Sequence, residues 1–260
     1  MSRENLNRYV LIIRRFTFFI IILFCVLFVL PLHQYSDQKN RRELNVEGEK
    51  YVMVKVTMKG DSAEKIGSFY ILEHEVTFAQ YDKFCEVTGR KKPSDAIHAR
   101  ADWEKSGVKN VKKSDLRWHR GDYPVINVSW QDAKDFCNWL SRKTREKIRL
   151  PYEKEWEFAC INKLKKAINI DKIAWHDGNS DFSTHPIKKR EPNSFGIYDM
   201  LGNVWEWCED VFSGKTEGMT YRVVHGGSWI NLPRICNCTQ RRLILPESTG
   251  SGLGFRIVME

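Results

Sequence analysis

The chain lacks a continuous basic stripe, although its net charge is positive. Its 260 residues include 42 Lys and Arg against 33 Asp and Glu, which gives a formal charge of +9. The basic residues occur in short groups, such as Lys188–Arg190, that acidic or apolar residues interrupt. Proteins that bind nucleic acid present a continuous basic surface. The pattern therefore disfavours nucleic-acid binding and is typical of solvated faces.

The chain lacks clustered histidines and the residue patterns of several common enzyme classes. The seven histidines are scattered, with no two at a metal-ligand spacing, which disfavours a histidine metal centre. The arrangements of standard serine and cysteine hydrolases lack support, and no internal repeat is visible. What the chain does have is 42% hydrophobic residues with 9 Trp, 9 Tyr and 14 Phe, enough for one sizeable core.

One apolar run near the N-terminus predicts a membrane anchor. Residues 16–32 carry no charge, and their length is close to that needed to cross a bilayer core of about 30 Å. The basic residues 1–15 are expected to stay in the cytoplasm by the positive-inside rule. A cleaved signal peptide is the alternative. No small-x-small site follows the run, which favours an uncleaved anchor.

The rest of the chain is then expected outside the cytoplasm, in the periplasm or an extracellular or luminal space. Residues 33–49 are polar and predict a linker, and residues 50–260 predict one domain. Six cysteines follow the anchor and could form three disulfides in an oxidising compartment. Alternatively, some are small hydrophobic core residues. These six are Cys85, Cys137, Cys160, Cys208, Cys236 and Cys238.

Local patterns predict strands and helices in the first part of the domain, and a compact arrangement of loops and short strands from Ala174 onward. Alternation predicts strands at 51–56 and 67–72, and capping boxes at Thr77 and Ser129 predict two helices. A third helix is expected at 152–160. Residues 90–120 read as an irregular loop, and helical periodicity disappears after Ala174.

Six ordered stretches make the family resemblance specific. They resemble the signatures of the formylglycine-generating enzymes, also called sulfatase-modifying factors, over residues 50–260. The resemblance implies a single α+β domain related to C-type lectins. The stretches are Phe69–Thr77, Pro124–Ala133, Arg149–Glu157, Pro192–Asp210, His225–Trp229 and Gly254–Arg256.

The family resemblance also implies a copper oxidase site. In this family a sulfatase cysteine is oxidised to formylglycine by molecular oxygen, with the help of a Cu(I) ion that two cysteines hold. The matching positions here are Cys236 and Asn231, and an asparagine amide cannot replace a thiolate for a soft ion. Cys238 is a substitute, since Cys236-Asn237-Cys238 could chelate Cu(I); disulfide or core cysteines are the alternative. Ser228 and Trp205 match positions that line the family's active cleft.

The stretch Pro192–Asp210 predicts a calcium site through the same resemblance. Taken alone, its glycines and aromatics indicate a tight turn in the core. Relatives often hold Ca²⁺ at this motif, and the matching positions are Asp199, Gly202, Val204 and Glu206. Two carboxylates and two carbonyls form an all-oxygen set that suits Ca²⁺ in a structural role.

Two functions follow as expectations. The first is a membrane-anchored oxidase of the formylglycine-generating type that acts on an exported protein or peptide, or on a related small substrate. The second is a non-catalytic C-type-lectin-like module that holds an envelope partner through the loop surface from Asn231 to Arg242. The sequence leaves the oligomeric state open.

Overall fold

The computed structural model describes residues 40–57, 67–95, 120–161, 169–213 and 219–260. Within these ranges, no helix combines the length and apolar character needed to cross a bilayer. The anchor predicted at 16–32 lies outside them, as does most of the loop predicted at 90–120. One structural unit spans Glu43–Glu260.

The two longest described helices begin at the predicted capping boxes. The helix α1 (Phe78–Thr88) follows Thr77, whose side chain accepts from the Gln80 N–H while the Gln80 side chain accepts from the Thr77 N–H. It ends at Gly89, which has a φ of 70°. The helix α2 (Trp130–Thr144) has the same reciprocal cap between Ser129 and Asp132. Local hydrogen bonding sets these starts, which is why the sequence predicted them.

The remaining helices are short. The helix α3 (Glu153–Ile161) confirms the third helix expected from the sequence, and α4 (Ile170–Ile173) is a single turn. A 3₁₀ turn covers Pro233–Ile235.

Eleven strands form three sheets in the described part of the chain. A five-stranded sheet has the order β1-β2-β3-β11-β4, a four-stranded sheet the order β10-β7-β8-β9, and β5 pairs with β6. The strands are β1 (Arg41–Val46), β2 (Glu49–Thr57), β3 (Ser68–Leu72), β4 (Ile148–Arg149), β5 (Ala174–Trp175), β6 (Leu201–Gly202), β7 (Trp205–Ser213), β8 (Thr220–His225), β9 (Arg241–Ile244), β10 (Leu253–Gly254) and β11 (Val258–Met259).

The strand β1 corrects the later part of the linker predicted at 33–49, while residues 33–39 lie outside the described ranges. Residues 41–46 form a strand at the border of the five-stranded sheet, and a turn at Glu47 and Gly48 leads into β2. Both turn residues have positive φ, 54° and 88°. The charged residues that suggested a linker are those that an edge strand tolerates, since only its inner face is covered.

The core has two clusters, and the stretch Pro192–Asp210 contributes to both. Trp205 and Trp207 belong to the cluster around Phe136, where Tyr81 stacks on Phe136 with ring centroids 5.6 Å apart. Met200 and Leu201 belong to a second cluster with Trp156. The large buried aromatics therefore fix the turn between Leu201 and Trp205 from both sides.

One disulfide joins the third helix to the late loop. Cys160 at the end of α3 is bonded to Cys238, across a sequence separation of 78 residues. The other described cysteines, Cys85, Cys137, Cys208 and Cys236, are buried free thiols. Both expectations for the six cysteines after the predicted anchor therefore hold in part. Two form a disulfide, and four are small buried core residues.

Candidate functional site

The backbone of the predicted calcium turn has an unusual conformation. Asp199, Gly202 and Asn203 have φ values of 54°, 73° and 57°. A Cβ at Gly202 would lie 2.0 Å from the carbonyl oxygen of Trp175, so only glycine fits there. The Asn203 side chain accepts from the His185 N–H and donates to Glu75 Oε1. The turn is therefore held by contacts with distant segments as well as by its own sequence.

Glu206, a predicted calcium ligand, binds an arginine. Both Glu206 and Arg256 are fully buried. Arg256 Nε donates to Glu206 Oε2 and Arg256 Nη2 to Glu206 Oε1, each at 2.6 Å. The Trp156 indole also donates to Glu206 Oε2 at 2.6 Å. This is a bidentate, charge-assisted pair in the core.

Arg256 also cross-links the backbone around the turn. Its Nη2 lies 3.1 Å from the carbonyl oxygen of Tyr198 and 3.2 Å from that of Asp199, and its Nη1 lies 3.2 Å from that of Leu72. The guanidinium thus joins β3, the turn and β7.

Two further acids lie close to this pair. Burial raises the pKa of Asp199 to about 6, and burial followed by the charge of Asp199 raises that of Glu75 well above its usual range. Asp199 Oδ2 accepts from the Lys188 N–H at 2.7 Å, while Asp199 Oδ1 and Glu75 Oε2 have no hydrogen-bond partner. The cluster has more carboxylates than the one guanidinium balances.

The four predicted residues do not fit a calcium ion in this arrangement. Ca²⁺ takes six to eight oxygen ligands. Glu206 offers no unengaged oxygen, because Arg256 bonds to both, and Asp199 offers only Oδ1. The positive charge that the sequence analysis assigned to calcium at Glu206 is supplied by Arg256.

The predicted catalytic residues meet around Asn231. Its Oδ1 accepts from Trp205 Nε1 at 2.8 Å, from the Ser228 N–H at 3.0 Å and from Ser228 Oγ at 2.8 Å. An indole and a backbone N–H can only donate, so the chemistry itself identifies this atom as the amide oxygen. Ser228 and Trp205 are buried, and Asn231 is partly exposed.

Cys236 lies beside this network as a neutral thiol. Its Sγ is 3.9 Å from the carbonyl oxygen of Ser228, and burial raises its pKa to about 12. A Cβ at Gly227 would lie 2.8 Å from the same sulfur, so a glycine is needed for the chain to pass it. The structure thus brings Cys236, Ser228 and Trp205 together, as the resemblance implied.

The Cys236–Cys238 copper pair needs correction. Cys238 is bonded to Cys160, so its sulfur is not available as a thiolate. Cu(I) prefers thiolate ligands, and only Cys236 remains near the position where the resemblance places copper. The C-x-C spacing could not reveal this, because the partner of Cys238 lies 78 residues away.

The match to known proteins covers the whole described unit. Residues 33–260 match the model of the sulfatase-modifying factor enzyme 1-like domain. The chain belongs to the sulfatase-modifying factor family. It is 33% identical over 172 residues to the mouse formylglycine-generating enzyme, covering 53% of this chain and 44% of that protein.

Relatives of the chain within the family differ in the activity that their names state. It is 32% identical over 157 residues to the bovine protein named inactive C-alpha-formylglycine-generating enzyme 2, covering 52% of this chain and 50% of that one. The chain spans about half the length of these curated relatives. The structure of Treponema denticola variable protein 1 has the same fold, with a TM-score of 0.64, 24% identity, and coverage of 84% and 98%.

Sequence reasoning gave no roles to several residues of this sulfatase-modifying factor domain. Glu75 and Arg256 stood inside family signatures but were not assigned to the buried charge cluster. Arg242 lies with its guanidinium carbon 4.9 Å from the centroid of the Trp205 ring. Each contact joins distant segments, so spacing alone carried no signal for it.

A separate polar cluster lies between α3 and β8. Glu153, Glu157 and His225 present ligand atoms within 4.8 Å of one another. Burial raises the pKa of Glu157 and lowers that of His225. Glu153 Oε1 lies 3.2 Å from His225 Nε2 and accepts from Arg241 Nη1 at 2.9 Å. The charge of the Glu153 carboxylate is therefore balanced by Arg241 within the protein.

Proposed function

We propose that this chain is a membrane-anchored, exported member of the sulfatase-modifying factor family that binds an envelope partner instead of oxidising one with copper. The surface we assign to the partner is the segment from Asn231 to Arg242. The observation that carries the proposal is the hydrogen bonding of Asn231 Oδ1, which accepts from Trp205 and twice from Ser228.

The Asn231 network supports a binding role because it satisfies the site without a metal. A buried indole N–H left without an acceptor would cost about 1–3 kcal/mol. Asn231 removes that cost at the position where the family's oxidases have a thiolate. The remaining thiol, Cys236, is held protonated by burial.

Export is supported by the N-terminal sequence and by the disulfide. The basic residues 1–15 followed by the apolar run 16–32 favour an anchor with a cytoplasmic N-terminus. The bond between Cys160 and Cys238 suits an oxidising compartment. Both support a location of the domain in the periplasm or in an extracellular or luminal space.

A second candidate function is oxidation of a cysteine in an exported protein, or of a related substrate. The observation that favours it is that Trp205 and Ser228 both contact Asn231, with Cys236 next to Ser228. This activity requires a ligand set for copper other than two thiolates.

Copper binding separates the two functions. We expect the full-length chain in detergent to show no stoichiometric Cu(I) binding in a competition titration, and Asn231→Cys to gain it. A Cys-x-Pro-x-Arg peptide should stay unoxidised by mass spectrometry with and without copper. Tight Cu(I) binding or aldehyde formation by the unaltered chain would establish the oxidase instead.

Partner capture tests the binding role directly. Photo-crosslinkers placed at exposed Leu232 and at exposed Ile230, which directly precedes the segment, should trap the same envelope component in repeated preparations. A crosslinker at exposed Val87, on α1 and outside the proposed surface, serves as the matched control. Equal labelling from all three positions would contradict the proposal.

A further inference from the structure

The surface around Asn231 includes an arginine that has no acidic partner among the described residues. Arg242 is exposed on β9, and no ion pair or hydrogen bond engages its guanidinium within the described ranges. Its neighbour Arg241 differs, because it is bonded to both oxygens of Glu153 at 2.9 Å. Two adjacent arginines on one strand thus point to opposite faces, one neutralised and one not.

The register of the sheet explains where Arg242 points. Arg242 pairs with Val224 on β8, and Val224 pairs with Trp207 on β7. Trp205 is two residues before Trp207 and therefore shares its face. The Arg242 guanidinium lies over the Trp205 ring, a cation–π contact that holds it in place without neutralising it.

The amide of Asn231 contacts the same indole as Arg242. The Trp205 ring that carries Arg242 donates its N–H to Asn231 Oδ1, which fixes the orientation of the amide. All three donors go to Oδ1, and Nδ2 has no acceptor in the described part of the chain. The N–H groups of Asn231 Nδ2 and of the Arg242 guanidinium are therefore both available to donate hydrogen bonds to a ligand.

The surrounding charges and apolar groups suit an anion on a partner. Arg234 adds a further exposed positive charge in the same loop, and Ile230 and Leu232 beside Asn231 are 48% and 41% exposed. One acid also lies near this segment. The Asp177 N–H donates to the Asn231 carbonyl oxygen, and the Asp177 carboxylate lies 3.8 Å from His176 Nδ1, which is its nearby basic group.

We propose that Arg242 and the side-chain amide of Asn231 form a subsite for a carboxylate group carried by the partner. A planar guanidinium fork matches a carboxylate in a bidentate manner, and an amide N–H adds a third donor. The inference rests on the proposed binding function and specifies its ligand chemistry. The carboxylate could belong to an acidic side chain or to an acidic sugar, and the test separates these sources.

The test follows the Asn231 amide by nuclear magnetic resonance. The full-length chain in detergent carries ¹⁵N-labelled asparagine, and Asn231→Ser identifies the Asn231 Nδ2 signal. The probes are N-acetylglutamate α-amide, which has one carboxylate, and glucuronate, with neutral N-acetylglutamine α-amide and inorganic sulfate as comparisons at constant ionic strength. We expect a saturable shift with a carboxylate and none with N-acetylglutamine α-amide; the tighter of the two carboxylates names the source.

Variants decide whether Arg242 carries the binding. Arg242→Gln should weaken carboxylate binding by about tenfold or more, the scale of a lost charge-assisted pair. Arg234→Gln, which removes the same charge from the same loop, should weaken it less than about threefold, because exposed charges are screened by solvent. Absence of a saturable shift, an equal response to sulfate, or equal losses in both variants would overturn the subsite.

Crosslinking of the same variants separates the two proposals. If Arg242→Gln loses carboxylate binding and its yield of the crosslinked partner falls, both proposals are supported. If Arg242→Gln keeps the full partner yield, the subsite is overturned while the binding function stands. If the unaltered chain traps no partner, the binding function fails, and the subsite is then decided by the titration alone.

Discussion

Arg256 and Glu206 form a bidentate pair in the core, with Nε and Nη2 of the arginine each 2.6 Å from a carboxylate oxygen. The residues lie 50 positions apart in the sequence and are both fully buried. The same guanidinium bonds to backbone carbonyl oxygens of Leu72, Tyr198 and Asp199. One side chain therefore ties β3 and β7 to the turn between them.

Removing the arginine should destabilise the domain strongly. Arg256→Met leaves the Glu206 carboxylate buried without its counter-charge, and the expected loss is about 3–5 kcal/mol in the free energy of unfolding. Urea unfolding of the full-length chain measures it. The double variant with Glu206→Leu should recover part of the loss, because it removes the Glu206 carboxylate that Arg256→Met leaves without a counter-charge. A single variant within about 1 kcal/mol of the unaltered chain would contradict this role.

Calcium should have little effect on stability. Because Arg256 occupies both oxygens of Glu206, we expect the same thermal midpoint in excess EDTA and in millimolar CaCl₂. The measurement is thermal unfolding of the full-length chain, with MgCl₂ as the control for ionic strength. A saturable rise in the midpoint with calcium alone would show that the sequence-based assignment was right.

The buried acids predict a pH dependence. Burial raises the pKa of Asp199 from 3.8 to about 6, so the folded state binds a proton more tightly than the unfolded state does. Its contribution to stability is then fully present below about pH 4 and is lost as pH rises through about 6.

Asp199→Asn tests this dependence without disturbing the backbone. Asparagine tolerates the positive φ of 54° and can still accept from the Lys188 N–H. The variant should be more stable than the unaltered chain at pH 7 and equal to it near pH 4, as measured by urea midpoints. Parallel curves from pH 4 to 7 would exclude Asp199 as the titrating group.

Loss of the disulfide should lower stability substantially. Cys160→Ser with Cys238→Ser opens a loop of 78 residues, and the expected loss is about 2–5 kcal/mol. Cys236→Ser is the control, because it removes a neighbouring thiol without breaking a bond. Thiol titration of the unfolded, unreduced chain should leave Cys160 and Cys238 unreactive; their full reaction would refute the bond.

Truncating Asn231 should cost stability through the donors it leaves unpaired. Asn231→Ala removes the acceptor of Trp205 Nε1 and Ser228 N–H, with an expected loss of about 1–3 kcal/mol. Asn237→Ala is a matched comparison, since its Oδ1 accepts from Thr239 and Gln240 in a more exposed loop. Chemical unfolding should rank Asn231→Ala as the more damaging; the reverse order would remove the network's structural role.

Local features of the fold could be predicted from the sequence, because their signals lie within a few residues. The Thr77 and Ser129 caps each form with a residue three positions later, and both are present as expected. Gly89 ends its helix for a similarly local reason. The family resemblance then placed Cys236, Ser228 and Trp205 in one neighbourhood.

Features that depend on distant partners could not be predicted in this way. Six cysteines allow 15 full pairings, and nothing local marks Cys160 as the partner of Cys238. Arg256 and Glu206 are each ordinary charged residues until the chain brings them together. The strand β1 was missed because its charged residues have low strand propensity and are held by pairing in the sheet.

The position of β11 has a consequence for biogenesis. Val258 pairs with both Ile71 on β3 and Arg149 on β4, so this late strand lies inside the five-stranded sheet. The sheet cannot close while residues near Val258 are still in the ribosome or in a translocation channel. Non-local pairing of this kind slows folding. An exported chain would therefore cross the membrane with β3 and β4 still apart, in the unfolded form that a narrow channel admits.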